Sequence, residues 1–361
     1  MNTKEGVLKI LEENRGKVVS GEEIALRLNI SRNAVWKAIN GLKQEGHCIE
    51  AAANKGYNLA SHSDILSLAG MVPFLDTHLE VEAKINVHQR VGSTNTLAKK
   101  MAVSDAGHDR LHGTVIIADE QTEGRGRHGR PFLSLPGHGI YMSLILNPKT
   151  LGFDTPTLVT SYTAVAVCEA IEALCGKYPK IKWVNDIFLG SDDGAWQDMK
   201  KICGISAEAV MDLESRMIQW VVVGIGINFT LPGLAEMMPE LVPIVGAIFE
   251  EGPPGITRNQ LAAEIINRML TPKDSPSEML EKYRRRMFIL GKKVRVEQPG
   301  AGGGGDSVPI SGTASYGGAG FAVNSYEVTA LDIDEIGQLV VQNDAGEITT
   351  LSAGEISIRW R

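Results

Sequence analysis

The apolar pattern changes period twice along this chain, and that limits the architectures open to it. Over the first sixty residues, apolar side chains recur at helical spacing. From about 85 to 288, strand-length apolar runs alternate with helical ones, and beyond 289 only strand-length runs remain. No single layer arrangement serves all three patterns, so a head, a body and a tail are expected, an α+β chain whose 361 residues suit two or three domains. With 43% hydrophobic and 22% charged residues, the chain can fill a core and is not broadly disordered.

In the head, Val7, Leu8, Ile10 and Leu11 mark a first helix. Ser20-Gly21-Glu22-Glu23 reads as a capping box, with Ile24, Ala25 and Leu28 as the apolar face behind it. Asn29-Ile30 makes a tight break. Ser31 then caps a third helix, with Val35, Trp36, Ile39 and Leu42 as its apolar set and Gly46 past its end. Two helices joined by a tight break form a helix-turn-helix. Arg32, Asn33, Lys37 and Asn40 fall outside the apolar set and are the types that bind phosphates and base edges. Cys48–Glu50 and Gly56–Leu59 look like two short strands around Asn54-Lys55, a wing. A helical protein-interaction module would show the same pattern. The first sixty residues hold nine Lys and Arg against seven Asp and Glu, on a chain of net charge −7. That asymmetry points weakly to nucleic-acid contact by the head, and ordinary surface charge would also produce it.

Residues 63–84 read as a linker with one short helix, interrupted at Pro73. In the body, strands are expected at Thr114–Ala118, Ile140–Leu146, Ile181–Val184, Ile202–Val210 and Ile218–Ile227. Leu158–Leu174 reads as an apolar helix, and shorter helices follow Arg258 and Ser277. The tail predicts strands at Val294–Val296, Tyr326–Ile333, Leu339–Gln342, Ile348–Leu351 and Ile356–Ile358, a small barrel. Gly302–Gly305 and Gly317–Gly320 read as a flexible surface insertion. No run of about eighteen apolar residues is evident, so no membrane span is expected. The opening MNTKEGVLKI lacks the apolar core of a secretory signal. Cys48, Cys168, Cys175 and Cys203 show no CxxC pair, which predicts neither a disulfide framework nor a zinc site and suits a reducing cytoplasm.

The sharpest motif is Gly124-Arg125-Gly126-Arg127-His128-Gly129-Arg130, after a strand and a polar approach. Glycines let backbone amides approach a ligand, and arginines offer forked donors for phosphate or carboxylate. A mobile ligand loop that orders around an anion is expected; an RGG-like nucleic-acid contact or a plain surface loop is the alternative. Lys182-Trp183-Val184-Asn185-Asp186, Lys200-Lys201-Ile202-Cys203-Gly204-Ile205 and Gly224-Ile225-Gly226-Ile227-Asn228 each end or open a strand. Each could be core strand with a polar end. The GxG lacks the third glycine of a dinucleotide fingerprint, because Phe229 fills that place. Val91-Gly92-Ser93-Thr94-Asn95-Thr96 clusters hydroxyls and an amide, which suits a urea or amide group, and it also suits a helix N-cap.

Together and in this order, these motifs resemble the biotin–protein ligases, and with the helix-turn-helix head, the bifunctional bacterial type that also represses biotin genes. The resemblance spans essentially the whole chain, to Gly354–Arg359. It implies a winged helix-turn-helix DNA-binding domain at 1–62, a linker at 63–84, a mixed-sheet biotin/lipoate-ligase-like catalytic domain at 85–288, and an SH3-like β-barrel with a Gly-rich insertion at 289–361. It implies that Ser93, Thr94, Asn95 and Gln121 bind the ureido and ring end of biotin, with Gly204 also at biotin. Arg125, Gly126 and Arg127 would cover biotin and the adenylate. Lys201 would be the catalytic lysine, assisted by Arg127 and Asp186. Asn185, Asn228, Arg130 and Arg359 would lie at the nucleotide, and Asp186 at Mg²⁺. Ser31, Arg32, Asn33, Lys37, Asn40 and Lys55 would face DNA. The implied substrates are biotin and ATP. The implied partners are a biotin carrier protein, operator DNA and a second copy of the chain when the adenylate is bound. Three departures stand out: Val184 replaces the usual proline, Ser191–Met199 is long, and residues 299–325 add glycines. A lipoate-type ligase and a ligand-sensing transcription factor without catalysis are the competing readings.

Overall fold

The structure, a computed structural model, describes residues 2–52, 55–104, 109–126, 131–153, 155–190, 198–211, 216–250, 255–299, 323–352 and 355–357. The head comprises α1 (Thr3–Glu13), β1 (Val18–Val19), α2 (Gly21–Leu28), α3 (Arg32–Gln44), β2 (Ile49–Ala52) and β3 (Gly56–Leu59). Asn2 and Glu5 form a full capping box on α1. At α2 only half of the expected box forms. Ser20 Oγ accepts from Glu23 N at 3.0 Å, while the exposed Glu23 side chain makes no return bond to Ser20. Asn29, at φ 52°, turns the chain from α2 into α3, and Ser31 Oγ caps α3 through Ala34 N. The strands pair in the order β1-β3-β2, so the wing has a third strand that the sequence reading did not include. Val7, Leu11, Ile24, Val35, Ile39, Leu42 and Leu59 fill the head's own core. Trp36 is not part of it. It is 55% exposed, because it sits about 100° around the helix from Val35.

The connection to the body is packed rather than loose. It carries α4 (Leu68–Met71) and three 3₁₀ turns, and Leu66, Met71 and Val81 enter the main core. Arg15 pairs with the buried Glu12 and donates to the carbonyls of Ala60, Ser61 and Ser63. Arg258, 1% exposed, holds Asp64 and Asp119 together through its guanidinium.

The body contains β4 (Ile85–Val91), α5 (Thr94–Ser104), β5 (Thr114–Gln121), β6 (Gly139–Leu146), α6 (Pro148–Leu151), α7 (Pro156–Cys175), β7 (Lys180–Lys182), β8 (Asp186–Leu189), β9 (Lys200–Met211), β10 (Ile218–Asn228), α8 (Leu234–Met237), α9 (Arg258–Leu270) and α10 (Pro276–Arg286). Its seven-stranded sheet runs β4-β5-β6-β10-β9-β8-β7, parallel between β4 and β5 and antiparallel elsewhere. Strand alternation gives the sheet two faces. Val221, Val223, Ile225 and Ile227 pack into the large core with α7, α9 and α10. Trp220 and Val222 pack instead with Ala98 and Ala102 of α5. The second face, beyond the reach of α5, is where the site forms.

α7 corrects the expectation about apolar length. It is the one described helix long and apolar enough to cross a bilayer, and 72% of its most apolar window is buried inside the protein. A helix apolar all round suits this position, covered by sheet and helices together. The tail adds β11 (Lys293–Pro299), β12 (Val323–Ile333), β13 (Leu339–Gln342), β14 (Ile348–Leu351) and β15 (Glu355–Ser357), a five-stranded antiparallel sheet in the order β14-β13-β12-β11-β15. Val296, Val328, Leu339 and Val341 join the body's core, and Trp183 Nε1 donates to Gly337 O at 2.9 Å. All four cysteines are free thiols. The expected insertion at 302–320 lies outside the described residues.

Candidate active site

Two rows of residues run across the site face of the sheet. Ser143 on β6, Gly224 on β10 and Ser206 on β9 are successive cross-strand partners. Two residues along, Gly226 pairs with Gly204, and Gly204 pairs with Asp186 on β8. The glycines are needed for space. A Cβ at Gly224 would lie 2.3 Å from Asn95 Oδ1, and one at Gly226 would lie 2.6 Å from the Phe132 ring. The GxG motif is therefore a floor cut low enough for Asn95 and Phe132 to lie on, with no dinucleotide turn. Above it is a cleft of about 200 Å³, lined by Ser93, Thr94, Asn95, Gln121, Arg125, Gly126, Asn185, Asp186, Lys201 and Gly204 among others.

One end of the cleft is neutral and polar. β4 and β5 run parallel with Val91 beside Gln121, so the turn after β4 delivers Thr94 to the Gln121 amide. Gln121 Oε1 accepts from Thr94 N at 2.9 Å, and its Nε2 donates to Ser134 Oγ at 3.0 Å. Asn95 donates to Ser206 Oγ at 2.9 Å and Glu208 Oε1 at 3.2 Å, and its Oδ1 meets Ser143 Oγ at 2.6 Å. The N-cap reading of this motif holds, since Ser93 Oγ accepts from Thr96 N, and Ser93, Thr94 and Asn95 also line the cleft.

The other end is charged. Lys201 Nζ lies 2.6 Å from Asp186 Oδ1. A β-bulge makes this possible. Ile187 pairs with Cys203 but Phe188 pairs with Lys201, leaving Ile202 as an extra residue. Ile202 and Cys203 consequently both enter the core, and Lys201 turns to the site face. Cys203 is no candidate nucleophile, because burial pushes its thiol far up. Asn185 Nδ2 donates to Ile205 O at 2.8 Å, which fixes the turn before Asp186. The Trp183–Val184 peptide bond is cis, and Val184 O accepts from the Tyr283 hydroxyl at 3.0 Å.

The glycine–arginine loop is closed at its neck. Phe132 N donates to Gly124 O at 2.8 Å, and Arg125 bridges Pro131. Arg125 and Gly126 line the cleft. Arg127, Arg130 and Arg359 lie outside the described residues. Asn228 does not line the cleft: its Nδ2 is spent on Gly246 O at 2.9 Å. Ser134, Phe132, Ser143, Ser206 and Glu208 were not anticipated. A lone serine inside each apolar run, Ser143 and Ser206, was the available signal. In the head, Arg32, Asn33, Lys37 and Lys55 are exposed, Asn40 is half-buried, and Arg32 pairs with Glu22 at 2.5 Å. Trp36 stands among them, one turn from Asn33 and Asn40.

Comparison with known proteins finds family matches in the head and in part of the body. Residues 3–58 match the HTH domain family, and residues 87–228 match the Biotin/lipoate A/B protein ligase family. The chain is 38% identical over 225 residues to the Bifunctional ligase/repressor BirA of Bacillus spizizenii, covering 62% of this chain and 64% of that protein. It therefore spans just under two thirds of that relative's length. It is 26% identical over 280 residues to a biotin–acetyl-CoA-carboxylase ligase of Mycobacterium tuberculosis, covering 76% of this chain and 88% of that one. Among solved structures, the biotin protein ligase from Aquifex aeolicus in complex with biotin and ATP shares the fold, with a TM-score of 0.54, 24% identity, and coverage of 76% of this chain and 98% of that one.

Proposed function

With residues 87–228 a domain of the biotin/lipoate A/B protein ligase family and residues 3–58 an HTH domain, we propose that the chain is a biotin–protein ligase that also represses biotin genes. It makes biotinyl-5′-adenylate from biotin and ATP, then transfers biotin to a lysine of a carrier protein. The observation that carries this reading is a single cleft with a neutral amide-and-hydroxyl end at Thr94 and Gln121 and a Lys201–Asp186 pair at the other. The first end suits a ureido ring; the second suits two anions brought together.

Attack of the biotin carboxylate on the α-phosphate opposes like charges, so fixed cations must offset the repulsion. Lys201 is held for this by Asp186, and Arg125 and Arg127 supply further charge from the loop. Asn185, Asn228, Arg130 and Arg359 serve the nucleotide in this reading. Mg²⁺ suits the site only in the form that takes one carboxylate and substrate phosphates, because the described residues offer no cluster of three ligands. Asp186 would hold it, and it would neutralise phosphate charge. Excluding water from the mixed anhydride is the work of the loop, whose neck is already closed at Gly124 and Phe132.

The tail sheet is a small SH3-like barrel in this reading, and the domains divide at 62, 84 and 288. Adenylate binding promotes a dimer, and two heads then take a palindromic operator through Ser31, Arg32, Asn33, Lys37, Asn40 and Lys55. The exposed Arg32 must leave Glu22 to reach a phosphate. Solubility in the cytoplasm accords with these partners. A carrier-biotinylation assay with labelled biotin tests the ligase: label on the carrier that depends on ATP is expected, and none refutes it. Gel shifts with and without biotin and ATP test the repressor, and ligand-independent binding refutes the coupling.

A further inference from the structure

The charged end of the cleft is built on the outermost ribbon of the sheet. β7 is short, Lys180–Lys182, and among the described strands β8 is its one neighbour in the sheet. Lys182 pairs with Asp186, so residues 183–185 form the turn that delivers the carboxylate to Lys201. Ladder bonds in so short an edge ribbon do not make its turn rigid. Bonds from other elements must do so.

Two peptide groups lead from Val184 into Asp186. The carbonyl of the second, Asn185 O, accepts from Ile205 N at 2.9 Å, and the Asn185 side chain donates back to Ile205 O at 2.8 Å. The carbonyl of the first, Val184 O, accepts from the Tyr283 hydroxyl at 3.0 Å. A peptide group is planar, so two groups held by their carbonyls fix both dihedrals of the residue between them, here Asn185. Tyr283 is fully buried and Val184 nearly so, which shields this bond from water. The hydroxyl comes from α10, beyond the residues matched to the ligase family. Just past α10, Phe288 N donates to Ile181 O at 3.3 Å and Met287 bridges Ile181, covering the outer side of β7.

Resting on the function proposed above, we infer that Tyr283 is a positioning residue for the adenylation step. It does not line the cleft. Its hydroxyl holds the peptide between Val184 and Asn185, and through that peptide the Asp186 carboxylate that steadies Lys201. Without the hydroxyl, a buried carbonyl loses this donor, and the peptide turns toward another. Asp186 then leaves the place from which it holds the amine, and the cation no longer sits where charge develops. The neutral end of the cleft does not share this turn, because Thr94 stands on α5 and Gln121 on β5.

The test is a double-mutant cycle on the full chain: Tyr283→Phe, Asp186→Asn and the two together. Single-turnover pyrophosphate release gives the rate, and calorimetry with biotin alone gives the affinity. Phenylalanine keeps the buried ring and removes one oxygen, so the fold is retained, as a cooperative thermal transition will show. Tyr283→Phe should slow adenylate formation about tenfold or more, since a misplacement of about 1 Å caused far from the reacting atoms suffices for such a loss. Biotin affinity should stay within about threefold of wild type. In the Asp186→Asn background the same substitution should change the rate by less than about twofold, because the carboxylate it positions is already gone. A general loosening of the fold would lower rate and affinity together. An unchanged rate, a parallel fall in affinity, or an effect that multiplies in full with Asp186→Asn overturns the inference and leaves the ligase reading standing. A wild type that releases no pyrophosphate from biotin and ATP overturns both.

Discussion

Lys201 Nζ and Asp186 Oδ1 meet at 2.6 Å although Lys201 is paired along its strand with Phe188 and Asp186 with Gly204. The extra residue Ile202 reverses the alternation of β9, so the lysine leaves the core face and reaches the carboxylate.

Replacing Lys201 by Ala should slow adenylate formation by on the order of a hundredfold or more. A single-turnover measurement of pyrophosphate release checks it. An unchanged rate would show that this amine does not steady the developing charge.

Asp186→Asn should slow the same step, since its carboxylate holds the lysine. The pH profile of biotin transfer to the carrier should keep its shape. Loss of the acidic limb would instead assign Asp186 as the proton acceptor for the incoming amine.

Gly224→Ala places a methyl group 2.3 Å from Asn95 Oδ1. Relieving that overlap costs about 1–3 kcal/mol and displaces the Asn95 amide. Biotin affinity, read by calorimetry, should fall about tenfold or more. Affinity equal to wild type would remove Asn95 from the site.

Arg258→Met keeps the bulk of a fully buried side chain and strands two carboxylates, Asp64 and Asp119. Burial already pushes the Asp64 carboxyl up against the pull of this arginine. Breaking such a pair costs about 3–5 kcal/mol. Urea denaturation should show that loss, and a change below about 1 kcal/mol would mean that water reaches the site.

His112 is lowered from 6.5, first by burial and then by Lys84, and its Nδ1 accepts from Asn147 N at 3.1 Å. A base whose folded value is depressed binds fewer protons folded than unfolded between the two values. Its contribution is therefore full above pH 6.5 and is lost as pH falls through the lowered value. His47 and His138 are lowered by burial too, so the comparison is with His112→Gln. That variant should lose less stability between pH 7 and pH 5 than the wild type, measured by thermal unfolding. Parallel curves would show that burial does not hold the His112 imidazole below its ordinary value.

Sequence alone determined the features that are local. Caps at Ser20 and Ser31, the break at Asn29 and the strand and helix runs of the body follow from patterns within a few residues. So does the grouping of Ser93–Asn95, Gln121, Asn185–Asp186 and Lys201 as polar sites at element ends, and these line one cleft. Tertiary structure decided what depends on register and on contacts between distant strands. The bulge at Ile202, the row Ser143–Gly224–Ser206, the outward place of Trp36 and the diversion of Asn228 to Gly246 are of this kind. The reason is geometric: a strand has a face only relative to its neighbours, and one inserted residue exchanges its two faces while leaving the local composition as it was.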